Sequence, residues 1–199
     1  MKVLKYIFFF VVALIVLFFL VGLIKPTINY GAEITVNKSA KEAWAVSKDE
    51  SKYDQWLEGF KSIELIEGEQ DQLGSKYKVI VNPGEGQADF EMIQTLVDYK
   101  DFEYVVLHFD SQFMDFEQKI SHTESDGITT IKSDSNVKAK GLVMKSMFAI
   151  MEMFGGAFTK QETKNFNALK KLIEENTTDY FPEPVEAVTE EVNVESADQ

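Results

Sequence analysis

The sequence predicts an α+β fold in which a curved antiparallel sheet of about seven strands wraps on a long C-terminal helix, preceded by one transmembrane helix. Three observations predict it: an unbroken apolar run at residues 6–24, segments of alternating polarity between short turns at 62–139, and apolar residues at helical spacing at 142–175. A sheet with one apolar face must bury that face, and the terminal helix is the only other element of sufficient length.

The apolar run at residues 6–24 has the length of a membrane-spanning helix. Its 19 residues cover the hydrocarbon core of a bilayer, about 30 Å, at about 1.5 Å per residue. We favour an uncleaved anchor over a cleaved signal peptide, whose apolar region usually has about 7–15 residues. Lys2 and Lys5 outweigh Lys25, so the positive-inside rule places residues 1–5 in the cytoplasm and the rest of the protein on the extracytoplasmic side.

The soluble part is predicted to begin with a short strand at 33–37 and two short helices. Ser39 and Glu42 match a capping box, in which each side chain pairs with a free backbone amide at the start of a helix. A second short helix is expected at 51–56, after which Gly59 lets the chain turn.

Six antiparallel strands are predicted next, since the segments between them are short and rich in turn residues. No connection is long enough for a crossover, so the strands form a meander. Their expected bounds are 62–69, 76–81, 88–97, 102–110, 114–124 and 128–139.

The chain is predicted to end with one helix and an acidic tail. The helical spacing extends over residues 142–175, and Gly155-Gly156 is expected to kink or split the helix. Residues 176–199 contain Pro182 and Pro184 and few large apolar groups, so we expect this tail to be disordered.

The order of elements and several local motifs resemble the SRPBCC superfamily, also called START/Bet v 1-like or polyketide cyclase/dehydrase-like. The matching segments are VNKSA at 36–40, EAW at 42–44, YDQWLEGFKSIE at 53–64, EG at 67–68, GSK at 74–76 and FNALKKLIE at 166–174. The resemblance covers residues 33–175 and implies a helix-grip fold, and a hydrophobic anchor before the domain is a recurrent layout in its bacterial members. It implies little about function, because the superfamily includes lipid carriers, cyclases, hydroxylase domains and chaperone activators.

The composition excludes several classes of function. The 33 acidic residues, a net charge of −13 and the absence of Arg argue against a nucleic-acid partner. Without Cys there are no disulfides, iron–sulfur clusters or thiol chemistry. His108 and His122 lack metal-binding spacing, and no catalytic or phosphate-binding motif is present, so we expect no metal, no cofactor and no catalytic residues.

A ligand cavity between the sheet and the C-terminal helix is the alternative to an ordinary dry core. Four of the seven Met fall at 144–153, and thioether side chains adapt to varied apolar surfaces. Polar groups on the inward strand faces would be costly in a dry core and suit a cavity that holds an amphiphile. The expected lining residues are Trp56, Phe90, Met92, Met114, Phe116, Gln118, His122, Ser133, Ser135, Met144, Met147, Phe148, Met151, Phe154 and Phe158.

These observations favour a membrane-anchored, non-catalytic domain that binds a lipid or another hydrophobic small molecule. We expect it to be a monomer. One alternative is an enzyme of the polyketide cyclase/dehydrase kind, in which His122, Ser133, Ser135 or a neighbouring Tyr moves protons. The other alternative is a chaperone-like protein-interaction module that uses the acidic surface.

Overall fold

The computed structural model of the protein describes residues 2–84 and 86–182. The helices are α1 (Lys2–Ile24), α2 (Ala40–Lys48), α3 (Tyr53–Trp56), α4 (Leu142–Ile150) and α5 (Ala157–Glu174), with a 3-10 turn at Glu50–Lys52 and a π-helical turn at Met151–Gly155. The strands are β1 (Thr27–Val36), β2 (Phe60–Glu67), β3 (Lys76–Val81), β4 (Phe90–Lys100), β5 (Tyr104–Asp110), β6 (Met114–Ser125) and β7 (Ile128–Ala139).

The seven strands form one antiparallel sheet in the order β1-β7-β6-β5-β4-β3-β2. Strands β2 to β7 follow one another as a meander, and β1 closes the arrangement by pairing with β7. The predicted α+β architecture is therefore confirmed. Strand β1 begins at Thr27, six residues before the predicted strand, because Thr27 already pairs with Lys138.

Local chemistry sets the path from β1 to β2. The Ser39 hydroxyl accepts a hydrogen bond from the Glu42 amide (3.2 Å), and the Ser39 amide donates to the Glu42 carboxylate (3.4 Å), so the predicted capping box opens α2. Gly59 makes the turn between α3 and β2 with φ of +78°. A Cβ atom at this position would lie 2.1 Å from the Asn82 carbonyl oxygen, so only glycine fits the turn.

The packed core lies at the edge of the sheet that is formed by β1 and β7. Helix α5 packs against β1, and its residues Phe166, Leu169 and Ile173 are each about 1% exposed. They join Val36 and Ile131 in one apolar cluster. The same face of the remaining strands, β6 to β2, does not pack closely against α5.

The C-terminal helical region is two helices rather than one long one. The chain bends by 64° between residues 142–155 and 157–174, at the predicted Gly155-Gly156 break, where Gly156 has φ of +59°. Helix α5 packs against β1 as the closing helix, and α4 meets the sheet where Phe148 packs against Ile28, Val137 and Ala139 of β1 and β7. Helix α4 also packs against α1, where Gly22 meets Ser146 so closely that a Cβ atom on Gly22 would lie 2.3 Å from the Ser146 hydroxyl.

Helix α1 is long and apolar enough to be a membrane span or a signal sequence. Its 23 residues extend for about 35 Å, somewhat longer than the predicted run at 6–24. Most of its side chains are exposed, and the partly buried ones, among them Phe18 and Phe19, lie towards its C-terminal end.

The first residues after α5 lie against the domain. The Tyr180 hydroxyl donates to the Asp49 carboxylate (2.6 Å), and the Lys52 ammonium donates to the Tyr180 oxygen (2.6 Å) and to Asn176 (2.9 Å). These contacts fix the beginning of the predicted acidic tail. The rest of that tail, residues 183–199, lies outside the described residues.

Candidate ligand cavity

A cavity of about 1010 Å³ lies between α5 and the inner face of β2 to β6. Packed protein interiors contain few voids larger than a water molecule, so this space is not a packing defect. Its volume is at the upper end of the range for small-molecule sites, about 300–1,000 Å³. The cavity therefore has room for a ligand of substantial size.

Alternate residues of the central strands form an apolar wall, as the two-residue period of a strand requires. Val79, Met92 and Phe109 are buried there, and the Phe109 ring stacks on Phe116 with centroids 4.4 Å apart. The wall consists of Val79 and Val81 from β3, Phe90, Met92 and Leu96 from β4, Val105, Leu107 and Phe109 from β5, and Met114, Phe116 and Ile120 from β6.

A polar cluster interrupts the apolar lining on the α5 side. Glu162 projects from α5, is only 8% exposed, and accepts a hydrogen bond from the Gln118 amide of β6 (2.9 Å). Burial raises the pKa of the Glu162 carboxyl, and the Ser133 hydroxyl and the Gln118 amide act in the opposite direction. Tyr30 also lines the cavity, and burial, together with the Glu162 charge, raises the pKa of its phenol. The cluster offers a ligand a carboxyl group, an amide and a phenol.

A second polar position lies farther along β6, at His122. This side chain is 5% exposed, its ring meets Trp44 edge to face at 5.2 Å, and burial lowers its pKa to about 4. Neither nitrogen of His122 has a hydrogen-bond partner among the described residues, and the same is true of the Trp56 indole N–H. Buried polar atoms are nearly always paired, so a ligand group or water is expected to complete them. Four residues of strand separate His122 from Gln118, which is about 14 Å.

The turn after α3 is held to α5 by polar contacts around Glu58. Its carboxylate pairs with the Lys164 ammonium and accepts a hydrogen bond from the Gln161 amide (2.6 Å), while its backbone amide donates to Asn165 (3.2 Å). The Lys164 contact holds the pKa of the Glu58 carboxyl below its usual range. These groups are largely exposed, so they add little stability, but they join the two edges of the cavity.

Comparison with solved structures identifies the architecture. A conserved protein from Geobacillus kaustophilus is 22% identical, with a TM-score of 0.59 over 73% of this chain and 95% of its own. The two-domain ARO/CYC protein BexL of the BE-7585A biosynthetic pathway is 12% identical, with a TM-score of 0.56 over 76% of this chain and 51% of its own. Truncated norcoclaurine synthase from Thalictrum flavum is 16% identical, with a TM-score of 0.52 over 75% of this chain and 95% of its own.

The fold is the helix-grip fold. The sequence resemblance to the SRPBCC superfamily is thus confirmed at the level of the fold, which is all that identities below 25% establish. No protein-family profile matches the sequence, and no curated protein matches it in sequence.

The helix-grip domain places nine of the fifteen expected lining residues at the cavity. They come from α3, the strands β4 and β6, the π-helical turn and α5. The nine are Trp56, Phe90, Met92, Met114, Phe116, Gln118, His122, Met151 and Phe158.

Four of the other six lie on α4 or the π-helical turn and do not line the cavity. Phe148 is buried in a separate cluster with Met144 packed against it, while Met147 is 37% exposed and Phe154 is 80% exposed. The structure does not place these four residues in the cavity lining, because after the 64° bend α4 packs against α1 and against β1 and β7.

The remaining two expected residues, Ser133 and Ser135, are buried on β7 and also lie outside the cavity. Strand β7 is next to β1, on the side of the sheet that carries the packed core. The Ser133 hydroxyl accepts a hydrogen bond from the Ala32 amide (3.0 Å), which ties the two strands together. The two serines therefore do not converge with His122 in the way that the enzyme alternative requires.

Glu162 and Tyr30 line the cavity and are not among the residues predicted from the sequence. Glu162 lies between Phe158 and Phe166 at intervals of four residues, so it interrupts the apolar face of α5, and that interruption is a usable sequence signal. Tyr30 precedes the expected start of the domain at residue 33. Within residues 2–84 and 86–182, no group of three or more His, Asp or Glu side chains is placed to hold a metal ion.

Replacing Glu162 with Gln is expected to stabilise the helix-grip domain at neutral pH. The folded protein holds the Glu162 proton more tightly than the unfolded chain does, so stability falls as the pH rises from the ordinary value of 4.5. The variant lacks this penalty, and each unit of pKa shift corresponds to about 1.4 kcal/mol, or roughly 3–5 °C in melting temperature. Thermal melts at pH 7 should show the gain, which disappears below pH 4.5.

Glu174→Gln is the matched control, since Glu174 lies exposed on the same helix. We expect its melting temperature to follow that of the unmodified protein across the pH range. A gain of equal size in the two variants would contradict the assignment of the penalty to burial of Glu162.

Proposed function

We propose that the domain binds a hydrophobic small molecule or lipid in the cavity, that α1 anchors it in a membrane, and that it does not act as a catalyst. The observation that carries the proposal is a cavity of about 1010 Å³ with an apolar wall and few, localised polar groups. Specific small-molecule sites have this composition, because apolar contact supplies affinity and isolated polar groups supply orientation.

The arrangement of polar groups favours an elongated amphiphile. The Glu162 and Gln118 cluster and His122, which is unpaired among the described residues, are separated by about 14 Å along β6. Between them lies the apolar side chain of Ile120, on the same face of the strand. A ligand with an apolar body and polar atoms at two positions would satisfy both groups.

The membrane part of the proposal rests on α1. A helix of 23 apolar-rich residues has the length to cross the bilayer, and Lys2 and Lys5 outweigh Lys25. This charge distribution supports a cytoplasmic N-terminus and a ligand-binding domain on the extracytoplasmic side.

The direct test is to extract the purified full-length protein with organic solvent and to identify the bound molecules by mass spectrometry. We expect one class of amphiphile at close to one molecule per protein chain. Leu107→Trp should abolish this recovery and weaken binding of a dansyl-labelled fatty acid by more than about tenfold, since the indole fills the centre of the cavity wall.

Val106→Trp is the matched control on the same strand. Val106 pairs with Lys119 and does not line the cavity, whereas Leu107 pairs with Gln118 and does. Binding by this variant should equal that of the unmodified protein. An empty protein that also fails to bind the dansyl-labelled fatty acid would refute the binding function.

An enzymatic function is the second candidate, and the buried carboxyl of Glu162 beside Tyr30 is the observation that favours it. A carboxyl with a raised pKa in a cavity is suited to donate or accept a proton. One neighbour in fold is named as a synthase. Incubating the extracted amphiphile with fresh protein and with Glu162→Gln decides between the two functions: a change in ligand mass with the first protein only would establish catalysis.

A further inference from the structure

The face of α4 and of the π-helical turn that points away from the domain is apolar and exposed. Its large residues recur at helical spacing, so they form one continuous surface. We call this surface the α4 face. It consists of Val143 (58% exposed), Met147 (37%), Met151 (45%) and Phe154 (80%), with Met153 (45%) beside them.

Charge is almost absent from this part of the chain, although the protein as a whole has a net charge of −13. Between residues 142 and 158 only Lys145 and Glu152 are charged. The Glu152 carboxylate accepts hydrogen bonds from the amides of Phe158 (2.8 Å) and Thr159 (3.4 Å), so it caps α5. An apolar surface without acidic groups suits hydrocarbon better than the surrounding acidic surface does.

The contact between α1 and α4 fixes the depth of the α4 face. Gly22 of α1 is buried against Ser146 of α4, and Ser146 is fully buried. Gly22 lies two residues before the end of α1, inside the apolar run. If α1 crosses a bilayer, Ser146 must lie close to the boundary between hydrocarbon and headgroups, and α4 lies there with it.

The cavity reaches this face at Met151. Met151 belongs to the α4 face and also lines the cavity, and Phe158, one helical turn beyond Gly155, lines the cavity and contacts Tyr30 with ring centroids 5.5 Å apart. The apolar exterior and the apolar interior are therefore continuous at Met151.

We propose that the α4 face lies in the outer leaflet of the lipid bilayer that α1 crosses, and that the cavity takes its ligand from that leaflet past Met151 and Phe158. The proposal rests on the function above, since it requires α1 to remain in the membrane and the cavity to hold a ligand. It adds a second membrane contact and an entry route.

Site-directed labelling tests the contact, and the absence of Cys from the sequence makes every introduced Cys unique. Phe154→Cys in the full-length protein, carrying an environment-sensitive fluorophore, is reconstituted in vesicles of phosphatidylcholine and phosphatidylglycerol with spin-labelled acyl chains. We expect the label to lose most of its emission by quenching. Leu73→Cys is the matched control, an exposed apolar residue (60%) in the turn between β2 and β3, and its label should keep its emission.

The outcomes are distinct. A label at 154 quenched no more than the label at 73 would overturn the proposal, and so would a blue shift at 154 without quenching, which would indicate that protein covers the face. Leu14→Cys, exposed on α1, must be quenched in the same vesicles, and failure there would refute the anchor and this proposal together. Recovery of a ligand by extraction is independent of these signals, so a failure of the α4 face leaves the binding function standing.

The entry route has its own measurement. Trp44 and Trp56 are the two Trp of the sequence, and both line the cavity, so energy transfer to a dansyl-labelled fatty acid reports its arrival. Phe154→Ser should slow transfer of this probe from vesicles several-fold without changing the final signal. Leu73→Ser should leave the rate unchanged. Equal rates for Phe154→Ser and the unmodified protein would rule out entry along this face.

Discussion

Replacing Phe166 with Ala is expected to lower the free energy of unfolding by about 3–5 kcal/mol, the usual cost of removing a buried phenyl ring. Phe166 is 1% exposed and lies in the cluster that joins α5 to β1 and β7. The loss would be a large fraction of the roughly 5–15 kcal/mol that stabilises a typical domain. Urea titration monitored by circular dichroism measures it.

Phe109→Ala is the matched comparison, because Phe109 is also buried but lines the cavity. Its ring borders space that is already open on one side, so its removal creates less new void and should cost clearly less than removal of Phe166. The affinity for a dansyl-labelled fatty acid should change in Phe109→Ala and remain unchanged in Phe166→Ala. Equal losses of stability would indicate that the cavity wall is packed like the core.

Acid should destabilise the protein between pH 6.5 and about 4 through His122, and His122→Leu should remove that dependence. Burial lowers the pKa of His122 to about 4, so the unfolded chain binds this proton in a range where the folded protein does not. The buried neutral His122 ring costs the folded protein no stability above pH 6.5. As the pH falls from 6.5 to about 4, the unfolded chain binds the proton first and the free energy of unfolding decreases. The effect is on the order of 3 kcal/mol. Denaturant titrations at pH 7 and pH 4 measure it.

His108→Leu is the control, because His108 is the other His of the sequence and its side chain is partly exposed beside Asp115 (3.1 Å). We expect this variant to keep the acid dependence of the unmodified protein. Identical pH profiles for His122→Leu and the unmodified protein would contradict the assignment. Above pH 4.5 the effect of Glu162 on stability changes with pH in the opposite direction to that of His122. Comparing the double variant His122→Leu/Glu162→Gln with His122→Leu separates the two effects.

Local chemistry explains why most of the fold could be predicted from the sequence. The Ser39 and Glu42 pair can act only at a helix start, and the segment around Gly59 can turn only there, so both positions agree with the structure. Strands β3 and β7 begin and end at the predicted residues, because Asn82-Pro83 and Asp126-Gly127 are strong turn signals.

The sequence predicts where helices and strands form more readily than it predicts which elements pack against each other. The spacing of Met144, Met147 and Phe148 indicates a helix with an apolar face, but a period of 3.6 does not specify what that face meets. After the 64° bend α4 packs against α1 through the contact of Gly22 with Ser146, and these two residues lie far apart in the sequence. Glu162 was missed for a related reason: a charged residue on a helix normally faces water, and only the tertiary arrangement buries this one.

The connection between α1 and β1 sets how the domain can move. Only Lys25 and Pro26 separate the end of α1 from the first residue of an edge strand, a length of about 7 Å at most. With α1 in a bilayer, this connection is too short to let the sheet move away from the membrane into the surrounding solution. Under the proposed function, exchange of a ligand with another protein would then take place at the membrane surface, with donor and acceptor meeting by diffusion in two dimensions.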